Sequence, residues 1–502
     1  MLSKQIKTNN SLPHSLYCGQ QIKDFEGQAA VLASTTLYEL MTRAGEACYG
    51  VFKNHFSDAK QLLVLVGKGN NGGDGYIFAT MAKEAGLSVQ LCQMGHSTAL
   101  TGNAAQASRA WEKQHGVIEG IEQADFTRAD VIIDALLGTG LSGNVSPEYQ
   151  SLINKINQSA KRVLSIDIPS GLNADTGAVS NVVVKADVTV CFVGLKQGLF
   201  TGRGCDYCGQ IYFSGLGIEE QFTALSTSRV TRISYSDLAY LLTPRNRCSH
   251  KGSFGKTLII GGNLGMTGAV RLAGEAALRT GSGLVKILTR EESRFALLAG
   301  CPELMVNAFD LQKKDNRVLY NWATNLVIGP GLGQDDWAKF LFDLILGSDL
   351  ATVIDADGLT LLADNPHCKK NWILTPHPGE ASKLLGCSVE QVEENRFTAV
   401  RNLQQRFGGV VILKGAGTLI CDGRQIYLAN VGNPGMASGG MGDVLSGIIG
   451  GLLAQGLNLQ QAATFAVCIH GLAGDLAAGQ EERGLLASDL FPYIRKLVNP
   501  SC

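Results

Sequence analysis

Apolar runs alternate with amphipathic stretches along the first half of the chain. Runs rich in Val, Ile and Leu predict buried strands at 61–66, 88–94, 129–137, 161–169 and 186–192. Helical periodicity between these runs predicts helices near 75–85, at 103–114 and at 146–157. The last helix has Ser146 as its predicted N-cap and Pro147 at its first position. Continuous apolar strands separated by helices are typical of a parallel sheet covered on both faces.

The alternation begins again after a polar stretch at 217–238 that lacks a strong strand pattern. Strands are predicted at 255–262, 284–289, 325–333, 351–359, 372–378 and 409–415, and helices at 268–281, 443–456 and 459–479. We therefore predict two tandem α/β domains, 1–226 and 227–502, of which the first is a three-layer, Rossmann-like domain. The two halves share no close internal repeat.

The composition suits packed domains and gives no reason to expect nucleic acid or an anionic membrane as partner. The chain has 502 residues, of which 45% are hydrophobic and 17% charged, with a formal net charge of −1. Its first residues lack the apolar core of a signal peptide, and no long apolar run predicts a transmembrane helix. Thirteen scattered cysteines, an odd number, favour free thiols in a reducing cytoplasm. Cys205 and Cys208 have C-x-x-C spacing, but neither a second pair nor a helix start supports a metal or redox site.

The segment "GKGNNGGDGYIF", residues 67–78, follows the first predicted strand and is rich in glycine. Gly67, Gly69 and Gly72 fit the dinucleotide fingerprint G-x-G-x-x-G, but the next strand ends without the acidic residue that would hold a ribose. A P-loop is also excluded, because the Gly-Lys-Thr at 255–257 lacks its preceding glycine. Asn71 and Asp74 add oxygen ligands, so an anion or ligand site, with or without a cation, is favoured over a tight turn.

Polar residues also follow two further strands of the first domain. Asp134 precedes "LLGTGLSGN", and Asp167 and Ser170 lie in "SIDIPSGLNADTG". The carboxyl ends of parallel strands share one edge of the sheet, where open α/β sheets bind their ligands. Taken singly, an aspartate at such a position is more often a helix cap or turn residue, and Lys196 is as often a solvated lysine as a site residue. Together they predict a site.

The second domain has its own set of loops at strand ends. These loops contain "GGNLGMTGA" at 261–269, Gly331, the proline-flanked His377 and Lys414, which lie at the ends of predicted strands. The sharpest motif is "NPGMASGGMGDVLSG", where glycines leave amide groups free at the start of an apolar helix and predict an anion hole. Asp443 at its mouth would accept a proton from a hydroxyl as phosphate arrives. The alternative is a first-turn carboxylate that stabilises the helix.

These motifs resemble the NAD(P)H-hydrate repair proteins over nearly the whole chain. "GNNGGDG", "DALLGTGLSG" and "IDIPSGLNADTG" are similar to the epimerase domain. "GSFGKTLIIGG", "TPHPGE", "LKGAGT" and "NPGMASGGMGDVLSG" are similar to the dehydratase domain, which has a ribokinase-like α/β fold. The resemblance implies a bifunctional enzyme that interconverts the C6 epimers of NADHX and NADPHX and dehydrates the S epimer to NAD(P)H at the expense of ADP.

The resemblance also implies site residues. K+ would contact Asn71, Asp134 and Ser170. The epimerase domain would bind the hydrate through Asn70, Asn71, Gly72, Gly73, Asp74, Gly138, Thr139, Gly140, Leu141, Ser142, Gly143, Asn144 and Asp167. The dehydratase domain would bind it through Ala269, Gly331, His377 and Asp443, and would bind ADP through Lys414, Gly415, Ala416, Gly417, Thr418 and Gly442.

The implied dehydration is a kinase-like step followed by elimination. Asp443 would take the proton of the C6 hydroxyl while the amides of 439–442 and Mg2+ stabilise the moving phosphoryl group. For epimerisation, Asp167 is the candidate proton carrier and Lys196 a second one. We expect a homo-oligomer, a tetramer or larger. A ribokinase-type small-molecule kinase with a non-catalytic nucleotide-binding or interaction module at its N-terminus is the alternative.

Overall fold

The computed structural model describes residues 6–8, 11–95, 100–141, 143–309 and 320–499. Contacts between Cα atoms divide the chain into two compact units, Met1–Thr231 and Arg232–Cys502. Both units are α/β, as the alternating sequence pattern predicts, and each is described by itself below.

The first unit is built on a predominantly parallel sheet. Its strands are β1 (Ile6–Thr8), β2 (Ser15–Tyr17), β3 (Gln61–Val66), β4 (Ser88–Gln93), β5 (Ile118–Gly120), β6 (Val131–Ala135), β7 (Arg162–Ile166), β8 (Val188–Phe192), β9 (Leu195–Lys196), β10 (Gln210–Ser214) and β11 (Val230–Ile233). The main sheet has the order β1-β10-β8-β7-β6-β3-β4-β5, with β1 antiparallel and the others parallel. A short separate ladder pairs β11 and β9 with β2.

Helices cover both faces of this sheet. They are α1 (Gly19–Leu32), α2 (Leu37–His55), α3 (Asn70–Glu84), α4 (Gly102–Lys113), α5 (Pro147–Gln158), α6 (Gly204–Tyr207) and α7 (Glu219–Leu225). Residues 62–66 of β3 are all buried, because alternate side chains meet a different helix layer on each face. Thr36 and Glu39 cap α2 reciprocally, which fixes where that helix begins.

The second unit repeats the parallel architecture with an antiparallel edge. Its strands are β12 (Lys256–Ile260), β13 (Leu284–Thr289), β14 (Met305–Ala308), β15 (Asn325–Ile328), β16 (Ala351–Ile354), β17 (Trp372–Leu374), β18 (Val410–Leu413), β19 (Thr418–Cys421) and β20 (Ile426–Ala429). Their order is β14-β13-β12-β15-β16-β17-β18-β19-β20. The pairs β18–β19 and β19–β20 are antiparallel, and the remaining pairs are parallel.

Two helices of the second unit pack unusually closely. The helices are α8 (Tyr235–Leu238), α9 (Thr267–Thr280), α10 (Arg294–Gly300), α11 (Asp336–Leu346), α12 (Ala356–Asp364), α13 (Pro378–Leu385), α14 (Val389–Glu394), α15 (Arg396–Phe407), α16 (Met441–Ala454), α17 (Leu459–Ala478) and α18 (Phe491–Leu497). A Cβ on Gly447 of α16 would lie 2.2 Å from the Ala273 carbonyl oxygen of α9, so this glycine permits the contact. Residues 444–454 of α16 are buried, as expected for a helix that is apolar on all sides.

Several elements differ from the sequence prediction. The helix predicted near 75–85 already begins at Asn70, so residues 70–74 form the first turns of α3 rather than a loop. The predicted strand 351–359 ends at Ile354, and α12 begins at Ala356. Helices α1 and α2 and the β19–β20 hairpin were not predicted. Among the described residues, no helix is long and apolar enough to cross a membrane.

Candidate active sites

Close backbone packing brings Asn71 to the edge of the first sheet. A Cβ on Gly67 would lie 1.9 Å from the Leu136 carbonyl oxygen, and one on Gly72 would lie 2.2 Å from the Gly67 carbonyl oxygen. Glycine at both positions therefore lets β3 turn directly into α3. The Asn71 amide nitrogen donates to the Leu137 carbonyl at 3.1 Å, while its buried Oδ1 accepts no hydrogen bond from any described residue.

Asp134 is fully buried at the end of β6. Its carboxylate accepts hydrogen bonds from Ser165 Oγ at 2.8 Å, from Ser170 N at 2.9 Å and from Ser170 Oγ at 2.6 Å. Burial raises the pKa of Asp134, and these hydrogen bonds oppose the rise. Ser170 Oγ also accepts from the Leu137 amide at 2.8 Å. Asn71, Asp134 and Ser170 therefore surround the same backbone segment.

This group supplies the oxygen atoms that a monovalent cation requires. The Asn71 Oδ1 is buried and unpartnered, and the Asp134 carboxylate is held in place by hydroxyl and amide donors. Hard cations take carboxylate, amide and carbonyl oxygens. The residues present thus fit a K+ ion, with Asn71 Oδ1 as the clearest vacant ligand.

Asp167 and Lys196 form a buried ion pair beside this group. Asp167 has a φ of +66°, which a non-glycine residue adopts only under constraint. Its Oδ1 accepts from the Lys196 ammonium and from the Phe192 amide at 3.2 Å. Lys196 also donates to the Phe192 carbonyl at 3.0 Å and is only 2% exposed. Burial alone would lower the pKa of Lys196, but the hydrogen bond to Asp167 and the charges of Asp167, Cys191 and Glu26 together outweigh burial and raise that pKa.

Two further carboxylates face this ion pair. Burial, followed by the negative charges of Asp167 and Glu26, raises the pKa of Asp74 well above its ordinary value. Burial also raises the pKa of Glu26, with Lys196 opposing and Asp167 adding to the rise. Glu26, on α1, was not predicted from sequence. It belongs to no motif, and its proximity to the ion pair depends on how α1 packs.

The other predicted residues of the first site lie around this centre. A Cβ on Gly138 would lie 3.3 Å from Asn71 Cβ, and a Cβ on Gly19 would lie 3.3 Å from Thr139 Cβ. Gly72 and Gly73 are buried and Leu141 is half-buried, whereas Asn70, Gly140, Gly143 and Asn144 are exposed. Ser142 lies outside the described residues.

In the second unit, the predicted anion hole is the first turn of α16. Gly440 is the N-cap with a φ of +90°, so glycine suits the turn that exposes the following amides. Asp443 lies in that first turn. Burial and the charge of Asp355 raise its pKa to about 7, and Lys414 opposes the rise. Asp443 is therefore a carboxylate that can exchange a proton near neutral pH.

Lys414 lies directly against this turn. A Cβ on Gly442 would lie 3.2 Å from the Lys414 ammonium nitrogen. That nitrogen is 3.0 Å from Asp355 Oδ1 and 3.7 Å from Glu380 Oε2. Asp355 is 1% exposed and accepts a further hydrogen bond from Ser446 Oγ at 2.7 Å. The structure thus brings Lys414, Gly442 and Asp443 together, and it adds Asp355, Glu380 and Ser446, which were not predicted.

The remaining predicted residues of the second site form two groups. A Cβ on Gly331 would lie 3.3 Å from Ala269 Cβ, so these two positions are adjacent. The His377 ring is 55% exposed, and its Nδ1 accepts from the Gly379 amide at 3.0 Å as the N-cap of α13. Residues 415–418 form a turn in which Thr418 Oγ1 donates to the Gly415 carbonyl at 2.9 Å. The buried guanidinium of Arg396 donates to the Lys414 carbonyl at 3.0 Å and supports this turn.

Comparisons with known proteins match both halves of the chain. The family model described as NAD(P)H-hydrate dehydratase matches residues 257–496, and the one described as YjeF-related protein N-terminus matches residues 37–198. A bifunctional NAD(P)H-hydrate repair enzyme from Coxiella burnetii is 47% identical over 97% of this chain and 99% of its own length.

Solved structures resemble the second unit. A ribokinase-like superfamily protein from Enterococcus faecalis is 30% identical, with a TM-score of 0.50 over 55% of this chain and 99% of that chain. An ADP/ATP-dependent NAD(P)H-hydrate dehydratase from Bacillus subtilis, co-crystallised with ATP and Mg2+, is 29% identical, with a TM-score of 0.47 over 53% of this chain and 96% of that chain. The Coxiella burnetii relative is similar along almost the full length of both chains, and the two family models match in the order epimerase, then dehydratase. The chain therefore belongs to the bifunctional NAD(P)H-hydrate repair enzymes, with an epimerase domain followed by a ribokinase-like dehydratase domain.

Proposed function

We propose that the two sites act in sequence on hydrated nicotinamide dinucleotides. The first site interconverts the R and S epimers of NADHX and NADPHX at ring carbon 6. The second site converts the S epimer to NADH or NADPH at the expense of ADP. The observation that carries the proposal is Asp443, whose pKa is raised to about 7 at the mouth of an amide-lined helix terminus.

Asp443 begins the dehydration by removing the proton of the C6 hydroxyl. The hydroxyl oxygen then attacks the terminal phosphorus of ADP. The bond between that phosphorus and the bridging oxygen breaks, and AMP leaves with the bridging oxygen. The amides at the start of α16 and the Lys414 ammonium offset the charge on the transferred group. Phosphate is a better leaving group than hydroxide, so the C6–O bond breaks and loss of a C5 proton restores the dihydronicotinamide ring.

Mg2+ would bind at this site together with the nucleotide. Carboxylates of Asp355, Glu380 and Asp443 surround a single ammonium, so the site is negatively charged before ADP enters. Within the described ranges, no cluster of three or more His, Cys, Asp or Glu side chains has the geometry of a metal site. Mg2+ would therefore be held mainly by the ADP phosphates, whose charge it would offset.

Epimerisation requires C6 to pass through a planar carbon, either as an iminium ion or as a ring-opened aldehyde. Both routes need a group that moves a proton on and off the C6 oxygen. We assign this role to Asp167, and its constrained backbone and its ion pair with Lys196 support the assignment. The K+ ion would be held by Asn71 Oδ1, Asp134 and Ser170, and would supply a fixed positive charge beside the bound dinucleotide.

The remaining members of the predicted site would bind the two substrates. In the first domain, we assign binding of the hydrated dinucleotide to residues 70–74, residues 138–144 and Asp167. In the second domain, we assign it to Ala269, Gly331, His377 and Asp443. We assign the adenine nucleotide to 414–418 and Gly442. The adjacency of Gly331 to Ala269 and of Gly442 to Lys414 supports these groupings.

The proposal extends to the oligomeric state of the protein and its location in the cell. We expect a homo-oligomer, a tetramer or larger, which light scattering of the purified protein would test. A single-subunit mass would contradict it. We expect the chain in the cytoplasm, because its twelve described cysteines are all free thiols. Fractionation of the cells that produce it would test this location.

The deciding assay mixes hydrated NADH with the protein, ADP and Mg2+ and follows the absorbance of the regenerated dihydronicotinamide. We expect recovery that depends on ADP and on Asp443. No recovery, together with ATP-dependent phosphorylation of a small vitamin-like alcohol, would instead support the ribokinase-type kinase.

A further inference from the structure

Asp355 follows β16 at the centre of the second site, yet it cannot reach a substrate. Its side chain is 1% exposed. Its Oδ1 is paired with the Lys414 ammonium at 3.0 Å and its Oδ2 accepts from Ser446 Oγ at 2.7 Å. A carboxylate with both oxygens occupied and no solvent access is poorly suited to act as a base or nucleophile. Its role must be exerted through its partners.

The partner that matters is Lys414. Its ammonium nitrogen lies 3.2 Å from the position of a Cβ on Gly442, so the positive charge is held against the first turn of α16. Glu380 lies 3.7 Å away and offers a second, more distant carboxylate. Asp355 therefore decides which of two positions the flexible lysine side chain takes.

We propose that Asp355 is a positioning residue of the dehydratase site, which holds the Lys414 ammonium beneath the first turn of α16, where the phosphates of ADP bind. This inference rests on the proposed function for the place of the phosphates. A buried ion pair is a costly way to stabilise a fold, since well-packed apolar residues often serve as well. The Asp355–Lys414 pair is explained if it serves to fix the position of the Lys414 charge.

The same pair sets the proton affinity of Asp443. The negative charge of Asp355 raises the pKa of Asp443, and Lys414 lowers it. Asp357 and Glu380 also raise it. Replacing Asp355 by asparagine removes one of the raising charges, so the pKa of Asp443 should fall.

The experiment compares Asp355→Asn, Lys414→Met and the double variant in the full-length protein. The double variant removes both partners of the ion pair, so neither partner is left as a buried charge without the other. Asp364→Asn, an exposed carboxylate at the other end of α12, makes the same charge change away from the site and is the matched control. Thermal unfolding of each variant checks that the second domain is folded.

The first readout is ADP binding by titration calorimetry, which requires no turnover. We expect Asp355→Asn to weaken ADP binding by about tenfold, the scale of one lost charge-assisted contact. We expect Lys414→Met to weaken it at least as much, and the double variant to be no weaker than Lys414→Met alone. Additive losses, or ADP binding by Asp355→Asn that is unchanged or tighter, would overturn the positioning role.

The second readout is the pH dependence of dehydration kcat. We expect the acidic limb of Asp355→Asn to move to lower pH while that of Asp364→Asn stays in place. An acidic limb that does not move would overturn the inference. If the wild-type chain binds ADP but does not regenerate NADH, the proposed function fails, and the calorimetric comparison still decides the role of Asp355.

Discussion

Asp167, in a left-handed backbone conformation, pairs its carboxylate with the buried ammonium of Lys196. Lys196 is 2% exposed and also donates a hydrogen bond to the Phe192 carbonyl. Two more carboxylates, Glu26 and Asp74, act on this pair through their charge. A single lysine thus faces three carboxylates in the site proposed to epimerise C6.

Lys196→Met should therefore slow epimerisation while leaving dehydration of the S epimer intact. Loss of general acid–base assistance typically costs about 10²–10⁴ in rate, so we expect at least a hundredfold fall in use of the R epimer. Consumption of each purified epimer, followed separately, measures the effect. Lys185→Met changes an exposed lysine in the same segment and should have no effect. Equal slowing of both epimers would show that Lys196 acts on the whole protein rather than on the first site.

Asn71→Ala should weaken the response of epimerisation to K+. The substitution removes the buried Oδ1 that accepts no hydrogen bond within the described part of the chain. We expect the K+ concentration for half-maximal epimerisation to rise about tenfold, as for loss of a metal-site contact. A K+ titration at constant ionic strength measures it, with the exposed Asn54→Ala as control. A wild-type enzyme that works equally well in K+ and in a bulky organic cation would count against the cation site.

Dehydration should be lost as the pH falls through about 7, the raised pKa of Asp443. The reason is that Asp443 must be ionised to take the hydroxyl proton, and its protonated form predominates below that pKa. The kcat of dehydration, measured from pH 5.5 to 8.5 in about half-unit steps, gives this limb. Asp443→Asn should lower kcat by about 10²–10⁴ on the alkaline side of this limb and should remove the limb itself. A pH-independent kcat over this range would rule out Asp443 as the base.

Gly447→Ala should destabilise the second domain without touching either site. The new Cβ would lie 2.2 Å from the Ala273 carbonyl oxygen, and backbone cannot yield as a side chain can. Overpacking of this kind costs about 1–3 kcal/mol. Thermal unfolding measures it, with Gly268→Ala of α9 as control. That position has nothing within 4 Å, and alanine there should be neutral or gain up to about 1 kcal/mol of helix stability. An unchanged transition in Gly447→Ala would show that α9 and α16 can separate at little cost.

Sequence patterns predicted the parts of the fold that depend on local order. The apolar run 61–66 became β3 at its predicted bounds, because a strand buried on both faces needs such a run. The segment "GKGNNGG" was predicted as a ligand-binding loop before the helix, whereas the close contacts of Gly67 and Gly72 let α3 begin at Asn70, soon after β3 ends. The β19–β20 hairpin was missed because each of its strands has only four residues, too few to show a clear alternating pattern.

The candidate-site residues also divide into those that local sequence order reveals and those that depend on tertiary packing. Residues at strand ends, such as Asp134 and Lys414, were found because parallel strands share one carboxyl edge. Asp355 obeys that rule too, but the strand was predicted to continue through it to residue 359, which hid its position in the turn. Glu26 gave no sequence signal, since its position depends on the tertiary packing of α1.

The most direct test supplies purified R and S epimers of NADHX separately, with ADP, Mg2+ and K+, to the wild-type, Asp167→Asn and Asp443→Asn proteins. NADH recovery is followed by absorbance, and epimer composition by chromatography. We predict that wild type converts both epimers, that Asp167→Asn converts only the S epimer at an undiminished rate, and that Asp443→Asn mixes the epimers without forming NADH. Loss of both activities in both variants, or ADP-independent recovery of NADH, would contradict two sites acting in sequence.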